Sequence, residues 1–211
     1  KLFEVYDFRD QPISTEKEDE LLFMINDKVK NADLVVVTDF GHGLISTRVI
    51  EHLCKKAPFL AVNVQTNAGN HGFNFATRYP KANFLCIDVP EARLAVSNKY
   101  ADMSTLVTSL LPKKIDCDFF IVTHGHHGCM TYQRDCEKVH RIPAITDQVV
   151  DTVGAGDAFF AIAAPLLKAS GSLELAGFLG NVAGAIKVGI VGHRKAVEKV
   201  TLIKFITAIL K

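Results

Sequence analysis

The stretch Asp151-Thr152-Val153-Gly154-Ala155-Gly156-Asp157 holds the residues best suited to chemistry. Two glycines around an alanine let backbone come close to a ligand, and the apolar run 158–167 behind them predicts a helix. The free N–H groups and the dipole of a helix start attract an anion such as a phosphate. Asp157, in the first predicted turn, would repel that phosphate. The conflict resolves if its carboxylate touches the group that attacks the phosphate, which makes Asp157 the base of a phosphoryl transfer. The plainer reading is an acid that complements the helix dipole. Spacing alone leaves both open.

The surrounding elements decide where this loop sits. Residues 148–150 read as the end of a strand entering it. Residues 1–9 alternate as a strand, and Thr15 with Glu18 makes a capping box for a helix bearing Leu21, Leu22, Ile25 and Val29. The apolar run 34–37 predicts a strand buried on both faces. Helix 47–56, strands 59–64 and 83–87, helices 91–97 and 103–111, and strand 119–123 continue the alternation. This predicts an α/β fold with a doubly wound, mainly parallel sheet flanked by helices. Short antiparallel strands at 129–132 and 138–142 follow, then helices at 155–169, 173–188 and 198–210. Ligands of such a sheet sit beyond the carboxyl ends of its strands.

Several segments fall at those ends. Asp39-Phe40-Gly41-His42-Gly43 follows the first apolar strand. Asp88 and Glu91, three apart at a helix start, can hold Mg²⁺ directly or through water, or can simply cap the helix. Thr123-His124-Gly125 with Gly128 either passes under a nucleotide or forms an ordinary hairpin turn. His124, His126 and His127 make a poor metal site, because a strand end splays them and no Cys or acid has ligand spacing nearby.

Composition sets the outer bounds. A chain of 211 residues, 48% hydrophobic, can bury a large core and is read as one domain, 1–211. A net charge of +1 without a Lys/Arg block argues against nucleic acid as a partner. No apolar run reaches membrane-spanning length and no secretory signal opens the chain, so the expectation is a cytoplasmic protein without a membrane partner. Cys54, Cys86, Cys117, Cys129 and Cys136 are odd in number and lack C-x-x-C spacing, which predicts free thiols. A Cys129–Cys136 bridge across the hairpin is the alternative. A start at Lys1 within a strand pattern predicts a fragment or a processed chain.

Taken in this order, the segments resemble the ribokinase/PfkB family of sugar kinases. Residues 151–157 match its D-T-x-G-A-G-D signature, Asp88-x-x-Glu91 falls where the family carries N-x-x-E, and 122–128 falls on V-T-x-G-x-x-G. Residues 38–44 look like the S-D-Y-x-K-G-x-L stretch of the heptose-phosphate kinase branch, the kinase half of ADP-heptose synthases. The resemblance implies a ribokinase-like fold and transfer of the ATP γ-phosphate to a hydroxyl of a sugar or sugar phosphate. Asp157 would be the base, with the N–H groups of Gly154, Ala155 and Gly156 forming an anion hole. Thr123, Gly125, Gly128, Asn181 and Ala183 would bind the nucleotide. Asp88 and Glu91 would serve Mg²⁺, and Asp151 with nearby carbonyls would hold a monovalent cation, K⁺. Asp39, His42 and Asn63 would face the acceptor. A homodimer and fusion to a nucleotidyltransferase domain are compatible with that branch.

Three departures follow. His42 stands where the branch carries Lys, and 63–67 replaces its D-P-K stretch. The N-terminal part of the family's fold, with its glycine-rich sugar-binding segments and most of a lid, is missing, and 1–9 would be a remnant lid strand. The alternatives are a nucleoside or other small-alcohol kinase of the same fold, or a catalytically incomplete nucleotide-binding module.

Overall fold

Alternation along the central strands sorts side chains into two apolar cores, one on each face of a sheet. The computed structural model describes residues 5, 11–67, 69–70, 72–192 and 194–211, so the expected lid strand lies outside the described residues except for Val5. Strands β1 (Val35–Asp39), β2 (Leu60–Val64), β3 (Lys81–Asp88), β4 (Asp116–Thr123), β5 (Cys129–Gln133) and β6 (Lys138–Ile142) lie side by side in chain order. The first four are parallel; β5 and β6 run antiparallel. The result is a mixed sheet flanked by helices, as expected.

Successive strand residues point to opposite faces. Leu60, Val62, Leu85, Ile87, Phe120 and Val122 therefore meet α2 (Thr47–Lys56), α3 (Val89–Ala95) and the segment from α4 (Met103–Thr105) to α5 (Leu111–Lys114). Ala61, Phe84, Cys86 and Ile121 meet α6 (Ala155–Ser170) and α7 (Leu173–Val188). Helix α1 (Thr15–Val29) adds Leu21, Leu22 and Ile25 to the first core, and α8 (Lys199–Ile209) closes the chain. Among the described residues, no helix is long and apolar enough to cross a membrane.

Four expectations need correcting. Strand β1 is not buried on both faces: it borders only β2, and Val36 remains 46% exposed. Ser14, not Thr15, caps α1, accepting from Lys17 N, while Glu18 pairs with Arg48 of α2. The helix expected at 103–111 contains a π turn, Leu106–Leu110, in which the N–H of Leu111 reaches back to Leu106 O. Pro112 follows; it has no N–H for the next α-type bond. Residues 148–150 form no strand. Val149 and Val150 stay exposed, and the N–H groups of Val150 and Asp151 both donate to Val188 O, at 2.8 and 3.0 Å. The chain thus reaches the glycine loop across the end of α7.

Candidate active site

Parallel pairing aligns the strand ends, with Asp39 opposite Val64 and Asp88 opposite Thr123. The N-terminus of α6 comes to this rim. Gly154 stands before the helix at φ 77°, the left-handed region that glycine enters without steric cost. Ala155 N donates to Thr152 O and Ala158 N to Gly154 O. The N–H groups of Gly156 and Asp157 have no protein acceptor among the described residues, leaving the helix start receptive to an anion.

A cavity of about 310 Å³ opens beside this helix start. Thr123, Gly125, Gly128, Asn181, Ala155 and Gly156 line it, as does Asp88. Gly128 sits at φ 80°, and a Cβ there would lie 2.1 Å from Ile142 O, so the turn and the end of β6 touch backbone to backbone. Asn181 donates to Ile142 O and Pro143 O at 3.2 and 3.0 Å, clasping α7 to the same strand end. Ala183 is a correction: it is fully buried and lies off the cavity. Gly184, Ala185 and Val188 line it instead, at the helical spacing that starts from Asn181. The 3–4 spacing of these positions after Asn181 is a signal already present in the sequence.

Asp157 is oriented from across the sheet. Gln65 Nε2 donates to Asp157 Oδ1 at 2.6 Å and lies 3.3 Å from Asn63 Oδ1, while Asn63 Nδ2 donates to Cys86 O at 2.8 Å. Gln65 escaped the sequence reading, which saw 63–67 only as a departure. Asn63 is buried beneath it and touches protein on both sides, contrary to the expected acceptor contact.

Asp88 and Glu91 form a reciprocal capping box. Asp88 Oδ1 accepts from Glu91 N at 2.8 Å, and Glu91 Oε2 accepts from Asp88 N at 2.9 Å. Thr66 N donates to Glu91 Oε1 at 3.1 Å. Burial raises the Asp88 pKa. Burial, then the charges of Asp88 and Asp157, push Glu91 to about 7, against hydrogen bonds that lower it. Glu91, whose charge is disfavoured by burial and by both Asp88 and Asp157, is a group that a divalent cation at this rim would relieve.

The acceptor residues expected near 39–42 are placed otherwise. Asp39 is 2% exposed, and its carboxylate accepts from Gly41 N at 2.9 Å, Tyr79 Oη at 2.9 Å and Arg78 Nη1 at 3.3 Å. It anchors the interior and does not line the cavity. His42 is half-buried against the 65–74 loop, where a Cβ on Gly69 would lie 3.0 Å from its Cε1. Asn67, Asn70 and Asn74 knit that loop, with Asn70 Nδ2 donating to Gln65 O and Phe40 O.

The histidine turn also differs. His124, His126 and His127 do not splay; their rings cluster around His127, with centroids 4.6 and 3.8 Å away and planes tilted by 51° and 47°. Burial, then His127, lowers the His124 pKa. Among the described residues, no three His, Cys, Asp or Glu side chains gather as a metal cage. All five cysteines are free thiols, with Cys129 buried and Cys136 exposed.

Asp151 is committed to backbone. Its Oδ1 accepts from Val153 N at 3.0 Å and its Oδ2 from Gly192 N at 2.8 Å. Beside it, Lys187 Nζ donates to Val153 O at 2.8 Å and to Gly192 O at 2.6 Å. The carbonyls that the resemblance offers to K⁺ are thus taken by an ammonium group, and these residues do not fit a K⁺ site.

The chain belongs to the pfkB family of carbohydrate kinases, whose profile matches residues 8–199. It is 28% identical over 187 residues to the bifunctional protein HldE of Wolinella succinogenes, covering 88% of this chain and 38% of that protein. The chain therefore spans little more than a third of the length of this curated relative. Its fold is similar to that of phosphofructokinase-2 from Escherichia coli in complex with potassium, with a TM-score of 0.77 at 14% identity, over 95% of this chain and 64% of the other. It is also similar to Arabidopsis thaliana ribokinase complexed with ribose and ATP, with a TM-score of 0.67 at 19% identity, over 93% and 62%.

Proposed function

We propose that this chain carries the nucleotide and phosphate end of an ATP-dependent kinase that phosphorylates a hydroxyl of a sugar or sugar phosphate, of the heptose-phosphate kind. The observation that carries this reading is the placement of Asp157, held by Gln65, at a helix start whose N–H groups are unpaired. ATP would supply the γ-phosphate and Mg²⁺ the charge that joins it to the carboxylate rim. Gln65 occupies Asp157 Oδ1, so Oδ2 is left to take the proton of the attacking hydroxyl. The free N–H groups of Gly156 and Asp157 stabilise the charge that develops on the phosphoryl oxygens, while Gly154 and Ala155, whose N–H is taken by Thr152 O, shape the turn that presents them. The cavity beside Thr123, Gly125 and Asn181 is large enough for a nucleoside and mostly apolar, as an adenine site requires. Asp88 and Glu91 serve the cation in this reading.

The relative's name marks it as bifunctional, and its extra length suits a nucleotidyltransferase domain on the same polypeptide. Asp39 and Asn63 hold the rim in shape, so acceptor choice falls to other residues.

The test is an acceptor screen of sugars, sugar phosphates and nucleosides that reads ADP release with Mg²⁺-ATP. Turnover on sugar phosphates is expected. Turnover confined to nucleosides transfers the assignment to nucleoside kinases of the same fold.

A further inference from the structure

A buried lysine is expensive unless its charge finds oxygen partners, because an ammonium group loses its hydration on entering the interior. Lys187 is 6% exposed and lies on the last turn of α7. Its ammonium carries three donors and no acceptor. Two of those bonds go to backbone carbonyls of different segments: Val153, in the loop that leads into α6, and Gly192, in the turn after α7. Asp151 ties the same two segments with its carboxylate, accepting from Val153 N and Gly192 N. The two side chains form one cross-brace, in which the lysine takes both carbonyls and the aspartate takes both N–H groups. The Asp151 pKa is lowered by the Val153 and Gly192 N–H groups first, and the charge of Lys187 adds to that effect.

A monovalent ion placed between a carboxylate and converging carbonyls would perform the same service. It would neutralise the carboxylate and draw the oxygens together. Here those carbonyls already point at a fixed positive charge, and a second cation would meet both its repulsion and its occupancy of the oxygens.

We infer that Lys187 is a built-in replacement for the monovalent cation: its ammonium braces Val153 and Gly192 beside Asp151, so the phosphate loop of α6 keeps its shape without K⁺. Lys187 is a positioning residue, acting on the loop through Val153 O. The catalytic part of this inference rests on the kinase reading above; the structural part does not.

The experiment compares the protein in KCl and in choline chloride at equal ionic strength, by thermal melting with and without Mg²⁺-ATP and by ADP release. For the unsubstituted protein, the same Tm and the same kcat are expected in both salts. For Lys187→Ala, which leaves an ion-sized space, a lowered Tm that K⁺ restores and choline does not is expected, together with a kcat that is severalfold higher in K⁺. A lysine that serves only as structure would lose stability equally in both salts, and that result overturns the inference. So does a Tm or kcat of the unsubstituted protein that rises severalfold or by several degrees with K⁺. Should Lys187→Ala fail to fold, the salt comparison on the unsubstituted protein still decides. Absence of ADP release in every salt would remove the kinase reading and leave the melting comparison to judge the brace.

Discussion

Gln65 and Asp157, 92 positions apart in the chain, meet at 2.6 Å where the end of β2 faces the first turn of α6. The contact fixes one carboxylate oxygen and frees the other. Replacing Asp157 with Asn is therefore expected to lower kcat about a thousandfold, the usual range for losing a positioned base. ATP affinity, read by calorimetry, should change little. Gln65→Leu removes the orienting donor but leaves the base, and a kcat loss of about tenfold to a hundredfold is expected. An Asp157→Asn enzyme that retains most of its turnover would exclude the base assignment.

Glu91 gives the stability a pH signature. Its folded pKa of about 7 lies above the ordinary 4.5, so the native state keeps a proton that the unfolded chain has released. That contribution is fully present below about pH 4.5, is lost as pH rises through about 7, and is level beyond. Melting scans should show Tm falling across that window, and Glu91→Gln, which preserves a capping-box side chain, should flatten the fall. Mg²⁺ should also recover part of the loss at the alkaline end if the cation sits at this rim.

Asp39 should behave as a structural residue. Removing a buried carboxylate strands Tyr79 Oη and leaves Arg78 Nη1 with Asn74 Oδ1 alone, so Asp39→Ala is expected to cost about 3–5 kcal/mol of stability in denaturant titrations. An Asp39→Ala protein of unchanged stability with a raised KM for the acceptor would return this residue to the substrate.

At Gly128 the left-handed φ and the approach of Ile142 O leave no room for a side chain. Gly128→Ala should destabilise by about 3 kcal/mol and weaken nucleotide binding, read by thermal shift with ATP.

Much of this was legible because it is local. The loop 151–157 declares itself through adjacent small residues and one acid, and the strands through apolar runs whose alternation then splits Phe84 from Leu85 and Ile121 from Phe120 between two cores. What stayed hidden is long-range. Gln65 gains meaning only when β2 is set beside α6. Asp39 reads as facing the acceptor because Tyr79, 40 residues on, cannot be seen from the sequence folding over it. Nothing local marks Lys187, because cations are common near a helix end. Residues 148–150 had the composition of a strand but no strand to pair with.

The clasp of Asn181 on Ile142 O and Pro143 O has a kinetic side. It makes one wall of the cavity depend on α7 staying docked to the end of β6, so transient undocking would open the wall and the turn at Gly128 together. Amide hydrogen exchange should then slow in concert across 144–146 and the second half of α7 when nucleotide binds, as a single cooperative unit. Asn181→Ala should split that unit, letting the 144–146 amides exchange ahead of the helix.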